Sequence, residues 1–406
     1  MEIPLLKDLV IILSLAIVVI YLFHLIKIPS IVGFLLTGIL LGPHGFGLIS
    51  DPHEVETLSE IGVILLLFTI GLEFSFRSLL QIKRMALLGG FLQVGLTILL
   101  TFIISIAFGQ SLEKSLFYGF FVSLSSTAIV MKLIQDKGET DSLHGRNSLG
   151  ILIFQDLAII PLMLLVPLLS DQKTEAGGSL LAIAGGLGIV VVVLAGSFWL
   201  IPKLLYYIAK TRIRELFLLS VFIICFAIAF LTSSVGLSLA LGAFVAGLMI
   251  SESEYSHQAI SHILPFKDIF TSLFFVSIGM LLNTKFMIEY PILILLLTLG
   301  VLSLKGFVVA LVNVLLGYPI RVALLVAFGL SQVGEFSFLL AKVGMTHKLI
   351  DGWIYQIVLA VTVVTMMLTP VLMWLSPYVT NALKAIPCSR WLINRFERGR
   401  LEADSS

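Results

Sequence analysis

The sequence predicts an all-α membrane protein whose chain crosses the bilayer many times, and three observations indicate this. Hydrophobic residues make up 59% of the 406 residues and charged residues only 12%, so the chain cannot fold around one water-soluble core. Apolar runs of about 17–25 residues, the length of a membrane-spanning helix, recur along the sequence. No run shows the alternation of polar and apolar residues that a β-barrel strand requires.

Thirteen of these runs are predicted to be transmembrane helices. The first residues, "MEIPLLKDLV", lack the basic region and cleavage site of a signal peptide, so the first run is interpreted as a retained helix. With the N-terminus outside the cell, the connecting segments place eighteen Lys and Arg residues in the cytoplasm and five outside, a bias that predicts a cytoplasmic C-terminus. The predicted spans are 8–26, 29–48, 58–76, 85–108, 115–135, 148–169, 179–209, 215–233, 236–252, 266–282, 290–316, 321–344 and 353–378.

An internal repeat relates the two halves of the chain. The stretch "LLLFTIGL" at 65–72 matches "LFFVSIGM" at 273–280, the pair Gly33 and Gly38 matches a glycine pair 209 residues later, and "SLSSTA" matches "GLSQVG" at a similar offset. Six spans on each side of the seventh therefore predict two six-helix repeats of inverted topology, as in many secondary transporters. The alternative, that Gly and Leu recur by composition alone, stays open.

Two spans carry polar clusters at matching positions of the repeats. The fifth contains "SLSSTAIV" and the twelfth contains "GLSQVGEF", whose hydroxyl and amide groups can satisfy backbone groups freed by a helix break. We expect these two helices to be interrupted and to cross one another, although such residues also hold ordinary membrane helices together. The candidate ligands on them are Ser125, Ser126, Thr127, Ser331 and Gln332.

The sixth span carries an amide and an acid, Gln155 and Asp156, in the apolar stretch "LGILIFQDLAIIPLML". Asp156 is about nine residues from the cytoplasmic end of the span, or roughly 13 Å along a helix. A carboxylate at that depth is costly unless it holds a proton or has a cationic partner. Burial favours its protonated form and a nearby cation favours its charged form, so one carboxylate can alternate between a proton and a cation. Gln155 adds a neutral oxygen, and the pair is the predicted cation and proton site.

Two further charges are predicted to lie within the membrane and to compensate charge at this site. Lys305 is midway along the eleventh span, too far from its end to reach the interface. We expect Lys305 to pair with Asp156 or to handle protons, although a lysine solvated in a cavity would look the same in sequence. Glu335 is comparably deep, and it is expected either to assist transport or to stabilise the crossing helices.

Seven stretches form a composite pattern along the membrane region: "GFLLTGILLGPHGFGLI", "IGVILLLFTIGLEFS", "SLSSTAIVMKLI", "GRNSLGILIFQDLAIIPL", "GLSLALGAFVAGLMISESEYSHQ", "PFKDIFTSLFFVSIGM" and "SQVGEFSFLLA". In this order they resemble the cation:proton antiporter 2 family, and most closely its Kef-type potassium efflux systems. The resemblance covers nearly the whole membrane region and implies a fold like that of sodium/proton antiporters.

The resemblance also implies an assembly and roles for particular residues. It implies a homodimer in which a core domain moves like an elevator against a dimerisation domain. The pair Gln155 and Asp156 is typical of potassium-selective members, so the resemblance implies potassium bound at Asp156. It implies further that Lys305 matches the family's membrane lysine and that the hydroxyl residues 125–127 lie on an unwound crossover helix.

The predicted domain organisation is a transmembrane exchanger domain over residues 1–380 and a basic cytoplasmic tail over 381–406. Kef-type proteins usually continue into a nucleotide-binding regulatory domain, and we expect that domain to be absent here or to be supplied by a cytoplasmic partner. The loop after "SESEY" lacks the family's acidic cluster, with no acid before Asp268, so glutathione gating is not carried over as an expectation.

The function predicted is potassium/proton exchange by alternating access in the inner membrane, with no cofactor other than the transported cation and protons. A sodium/proton antiporter and a ligand-gated potassium efflux channel remain as alternatives; one buried acid suits stoichiometric exchange better than a multi-site pore. An enzyme would need a nucleophile with a base or a metal cluster, and no H-E-x-x-H motif occurs. The net charge of +1 gives no indication of nucleic acid as a partner.

Overall fold

All regular structure in the part of the chain described here is helical. A computed structural model describes residues 4–25, 28–49, 53–73, 84–169, 200–201, 203–234, 239–251 and 253–384. Most of the seventh predicted span, 179–209, and most of the basic tail, 381–406, lie outside these ranges. Eight helical segments among the described residues are long and apolar enough to cross a membrane, and five shorter apolar helices accompany them. The chain is therefore a multi-pass membrane protein.

Fifteen helices are labelled in chain order within the described ranges, with residues 203–210 forming a further unlabelled helical segment. A π-helical turn, Arg84–Gly89, leads into α4, and a 3-10 turn, Val166–Leu169, follows α7. The helices are α1 Pro4–Leu25, α2 Ser30–Leu41, α3 His53–Glu73, α4 Gly90–Ala107, α5 Leu112–Ser123, α6 Thr127–Asp136, α7 Leu143–Leu165, α8 Arg214–Ser234, α9 Leu239–Ser251, α10 Ser256–Leu281, α11 Thr284–Glu289, α12 Pro291–Leu315, α13 Ile320–Leu330, α14 Phe336–Thr346 and α15 Gly352–Lys384.

The chain divides into two compact units, each built from separated stretches of sequence. Unit 1 comprises Met1–Ala16, Phe34–Gln81 and Asp171–Leu281, so it contains α3 and α8 to α10. Unit 2 comprises Ile17–Gly33, Ile82–Ser170 and Leu282–Ser406, so it contains α4 to α7 and α11 to α15. Every residue of the predicted ion site lies in unit 2.

Glycines let the helices of unit 1 approach closely. A Cβ atom at Gly71 on α3 would meet the backbone of Gly247 on α9, and a Cβ atom at Gly38 on α2 would meet the backbone of Gly279 on α10. Without side chains at these contacts the helix backbones touch, which is how membrane helices gain packing energy when lipid removes the hydrophobic driving force. Aromatic and aliphatic side chains, including the fully buried Phe68 on α3, fill the space beside them.

Unit 2 has an aliphatic core beneath its polar site. The fully buried residues Ile151 on α7, Val308 and Val309 on α12, and Val326 on α13 belong to one cluster. Close contacts again occur at glycines, since a Cβ atom at Gly119 would meet the backbone of the neighbouring helix α4. This packing holds α4, α7, α12 and α13 around the residues that carry the polar chemistry.

The helix α15 contains a proline that frees a backbone carbonyl. Pro377 has no N–H to donate to the carbonyl oxygen of Met373, four residues earlier. That oxygen instead accepts hydrogen bonds from the Ser376 hydroxyl at 3.0 Å and from the Lys137 ammonium at 3.1 Å. Lys137 immediately follows α6, so this contact joins the end of α6 to α15 inside unit 2.

Candidate ion-binding site

Two spans of unit 2 are interrupted at the polar clusters where the sequence predicts breaks. The α5 helix ends at Ser123 and α6 begins at Thr127, with Leu124 and Ser126 in extended conformations between them. The α13 helix ends at Leu330 and α14 begins at Phe336. Each break leaves backbone groups without helical partners inside an apolar unit, so those groups need partners from elsewhere.

The two breaks lie against one another and share their hydrogen bonds. The N–H of Gly334 donates to the carbonyl of Leu124 at 3.0 Å, and the Ser125 hydroxyl donates to the carbonyl of Leu330 at 3.0 Å. The Ser337 hydroxyl donates to the carbonyl of Phe121 at 2.6 Å. A Cβ atom at Gly334 would collide with the backbone of Ser125, so this contact requires glycine. These bonds hold the two interrupted segments, residues 124–126 and 331–335, against one another. Together the two segments form the polar crossing.

Asp156 reaches this crossing from the middle of α7. The hydroxyl of Thr127, the first residue of α6, lies 3.1 Å from Oδ1 and 3.0 Å from Oδ2 of the Asp156 carboxylate. Both side chains are partly exposed, whereas their neighbours Ser125, Ser126 and Gln155 are buried. The carboxylate and the hydroxyl thus present oxygen atoms at an accessible edge of the crossing, an arrangement that suits a proton or a hard cation.

Gln155 precedes Asp156 but points into the interior of unit 2. Its Oε1 accepts a hydrogen bond from the backbone N–H of Ser125 at 2.7 Å, and its Nε2 donates to Oε1 of Gln93 at 2.6 Å. Gln93, on α4, donates in turn to the carbonyl of Ser123 at 3.2 Å. Both ends of the Gln155 amide are therefore bonded to the protein.

Lys305 bridges the C-terminal ends of the two broken helices. Its ammonium is fully buried and donates to the backbone carbonyls of Leu124 and of Gln332, the latter at 2.7 Å. These are different partners from the pairing with Asp156 that the sequence suggests. Each helix C-terminus carries about half a negative charge, so the two ends that meet here favour the N–H donors of a lysine side chain.

Glu335 lies at the N-terminal side of the crossing, at the start of α14, whereas Lys305 contacts the helix C-termini. The Ser126 side chain, at the start of α6, lies near its carboxylate. Each helix N-terminus carries about half a positive charge, which favours an acidic side chain at this position. Within the described residues the Oε2 atom of Glu335 and the Oε1 atom of Gln332 are buried without a hydrogen-bond partner. Lys305 and Glu335 thus lie at helix ends of opposite sign.

The remaining predicted residues and several unpredicted ones complete the crossing. Gln332 Nε2 lies 3.5 Å from the carbonyl of Ser126, and the Ser331 hydroxyl donates within its own turn to Phe328 at 3.4 Å. The structure adds Gln93, Ser337 and Thr365, whose hydroxyl accepts from the N–H of Val333 at 3.2 Å. Of these, Gln93 had a signal in the sequence: Gln93, Thr97, Thr101 and Ser105 recur every four residues in an otherwise apolar helix.

Comparison with protein families gives a match over most of the chain. The sequence model described as "Sodium/hydrogen exchanger, transmembrane" matches residues 11–374. The K(+) efflux antiporter 5 of Arabidopsis thaliana is 35% identical over 387 residues, which cover 94% of this chain and 68% of that protein. The glutathione-regulated potassium-efflux system protein KefC of Cronobacter sakazakii is 35% identical over 350 residues, which cover 85% of this chain but only 56% of that protein.

A solved structure shares the fold. The sodium proton antiporter MjNhaP1 from Methanocaldococcus jannaschii, determined at pH 8, superposes with a TM-score of 0.67 over 92% of this chain and 96% of that one. Sequence identity is 17%, so the likeness concerns the helical architecture alone.

Proposed function

This chain belongs to the transmembrane sodium/hydrogen exchanger family, as a Kef-type member, and from that premise we propose that it exchanges potassium for protons across the membrane. The observation that carries the proposal is the partly exposed Asp156 carboxylate, bonded to the Thr127 hydroxyl at a break in an otherwise apolar helical unit. The curated relatives described above are named as potassium efflux proteins. The chain spans 68% and 56% of their lengths.

The chemistry proposed at Asp156 is competition between two positive species. A protonated carboxyl group is neutral and can cross the apolar barrier without a cation, whereas a carboxylate crosses with a bound cation. The oxygens of Asp156 and Thr127 and the carbonyls exposed by the breaks are ligands of the hard type that alkali cations prefer. Because proton and cation occupy the same carboxylate in turn, movement of one is coupled to return of the other.

Alternating access further requires an architecture that can present the site to both sides. We infer thirteen spans in two inverted repeats of six, with crossed, interrupted helices. The contact of Gly38 with Gly279 and that of Gly71 with Gly247 support this, because the repeat offset converts one contact into the other. The paired breaks near Ser125 and Ser331 follow a similar offset. Unit 2 would then be the moving core.

The proposed assembly follows from the family resemblance. We infer a homodimer in the inner membrane, with the N-terminus outside and the basic C-terminal tail in the cytoplasm, where a regulatory domain or subunit could act. The excess of basic residues in the segments assigned to the cytoplasm supports this orientation. Elevator-like motion of unit 2 within each protomer is the proposed means of alternating access.

The test is proton flux in proteoliposomes that contain only this protein. Adding potassium outside acid-loaded vesicles should drive proton efflux in the native protein, and Asp156→Asn should abolish it while the protein stays folded. The matched control is Asp136→Asn, since the exposed Asp136 pairs, among the described residues, with Lys132 on the same helix surface, at 2.9 Å. Flux driven by sodium alone would assign a sodium/proton exchanger, and cation leak without proton movement would assign a channel.

A further inference from the structure

The backbone break between α5 and α6 is closed by a ring of side-chain hydrogen bonds. Gln93 Nε2 donates to the carbonyl of Ser123 at 3.2 Å, before the break, and the N–H of Ser125, within the break, donates to Gln155 Oε1 at 2.7 Å. Gln155 Nε2 then donates to Gln93 Oε1 at 2.6 Å. Two amides, from α4 and α7, thus take the place of the backbone partners that the interrupted helix lacks.

The orientation of each amide in this ring follows from its backbone partner. The atom facing the N–H of Ser125 must be an acceptor, so it is the oxygen of Gln155. The atom facing the carbonyl of Ser123 must be a donor, so it is the nitrogen of Gln93. These two assignments leave a nitrogen of Gln155 facing an oxygen of Gln93, which is the complementary pair that the ring needs. Flipping either amide would break two of the three bonds.

Burial makes the ring stiff. Gln93 is 0% exposed and Gln155 is 1% exposed, so water cannot replace a broken bond without cost. Thr97, one turn along α4, holds Gln93 in place: Gln93 Nε2 donates to its hydroxyl at 3.1 Å, and that hydroxyl donates to the Gln93 carbonyl at 2.7 Å. Gln93 is therefore anchored on α4 independently of the break it supports.

The ring is linked to the ion site by the short stretch of chain from Ser125 to Thr127. Ser125, held by Gln155, is two residues before Thr127, whose hydroxyl touches both oxygens of Asp156. Gln155 is also directly followed by Asp156 on α7, so the ring sets both sides of the Thr127 to Asp156 contact. We propose that Gln93 is a positioning and specificity-determining residue that, through Gln155, fixes the spacing of Thr127 and Asp156 and so the size of the cation accepted.

This proposal rests on the proposed function and gives Gln155 a particular part in it. The oxygen of Gln155 is bonded to Ser125 and its nitrogen to Gln93, so Gln155 positions the residues of the site. The accessible oxygens of the site are those of Asp156 and Thr127. A glutamine is suited to this part because one short side chain supplies both a donor and an acceptor. An aspartate at position 155 would offer acceptors alone and could not donate to Gln93.

The experiment compares Gln93→Met with the native protein in three measurements. Methionine retains the length of the side chain but none of its three hydrogen bonds, to Ser123, Thr97 and Gln155. The control is Thr101→Val, two turns away on the same buried face of α4, because the Thr101 hydroxyl has no partner in the described structure. The measurements are the potassium concentration for half-maximal proton flux, the ratio of potassium-driven to sodium-driven flux, and amide hydrogen exchange over residues 121–130.

We expect Gln93→Met to raise the half-maximal potassium concentration by about tenfold, because small displacements of a binding group weaken a site strongly. The same variant should lower the potassium-to-sodium ratio and speed exchange of the Ser125 amide, and Thr101→Val should change none of the three. In a Gln155→Met background, the added Gln93→Met should have little further effect, since both substitutions break the same ring.

Two results would overturn the proposal. One is folded Gln93→Met protein whose half-maximal potassium concentration and potassium-to-sodium flux ratio equal those of the native protein. The other is a Ser125 amide that exchanges at the native rate. If Gln93→Met does not fold, Gln93→Glu decides, because its carboxylate keeps the acceptor for Gln155 and loses the amide donor to Ser123 and Thr97. Unchanged cation preference in that variant also rejects the proposal. If the native protein shows no cation-driven proton flux, the proposed function fails, and the exchange measurement still tests the ring.

Discussion

The backbone N–H of Gly334 donates a 3.0 Å hydrogen bond to the carbonyl oxygen of Leu124 and so joins the two interrupted helices at the centre of unit 2. The Lys305 ammonium donates to the same oxygen and to the carbonyl of Gln332. Two broken helices thus stabilise each other where neither could leave its backbone groups exposed to lipid.

Gly334→Ala should disrupt this crossing. The new Cβ atom would overlap the carbonyl group of Ser125 and the nitrogen of Ser126, which are backbone atoms and cannot move aside cheaply. We expect a loss of about 1–3 kcal/mol or more in stability and loss of transport. Thermal unfolding in detergent measures the first and vesicle flux the second. Gly95→Ala is the matched control because no described atom lies within 4 Å of its added Cβ atom, and an effect as large as that of Gly334→Ala would contradict the account.

Lys305→Met should destabilise unit 2 even though it removes a buried charge. The substitution keeps most of the side-chain volume but leaves the carbonyl of Gln332 without its donor, at a cost of about 1–3 kcal/mol. The unfolding midpoint in detergent should fall, whereas Lys210→Met, at an exposed position, should leave it unchanged. An equal or higher midpoint in Lys305→Met would mean that the ammonium does not hold the crossing together.

Thr127→Val should weaken cation binding without unfolding the protein. Valine has nearly the shape of threonine but lacks the hydroxyl that touches both oxygens of Asp156. We expect the potassium concentration for half-maximal flux to rise several-fold, with the maximal rate less affected. In the control Thr69→Val, the lost hydroxyl donates only to its own helix, at Leu65, and transport should be native. Native affinity in Thr127→Val would exclude the hydroxyl from the site.

Acidification should raise the half-maximal potassium concentration. If proton and potassium compete for the Asp156 carboxylate, a lower pH increases the protonated fraction, and more potassium is needed to displace the proton. The limiting slope is about tenfold in potassium concentration per pH unit for a single competing proton. The test is potassium-driven flux in vesicles with the same pH inside and outside, repeated over a series of pH values. A half-maximal concentration independent of pH would separate the proton site from the cation site.

Local features of the site could be predicted from the sequence because their signals are local. The breaks at 123–127 and 330–336 coincide with hydroxyl and glycine clusters that can satisfy freed backbone groups, and Asp156 is conspicuous because a carboxylate in an apolar run is costly. The repeat offset also relates the two breaks to one another. Hydrophobic runs likewise located most of the spans seen as helices.

The partners of these residues could not be predicted from the sequence, because they depend on tertiary packing. Lys305 and Asp156 are residues of opposite charge type within the membrane, so the sequence predicts that they pair. In the structure Lys305 instead donates to carbonyls at the ends of two helices. The partial charges of those ends arise only when the helices break and meet. Gln93 carries a weak signal, its four-residue spacing from Thr97, which does not reveal that its partner is Gln155, 62 residues away.

The central claim, that one carboxylate holds a proton and a cation in turn, is tested most directly by proton release at equilibrium. Potassium chloride is added to the native protein in weakly buffered detergent solution while a pH indicator reports free protons and calorimetry reports binding. The account predicts about one proton released per potassium bound at a pH where Asp156 is protonated, and neither release nor binding in Asp156→Asn. Potassium binding to the native protein with no proton release would contradict it.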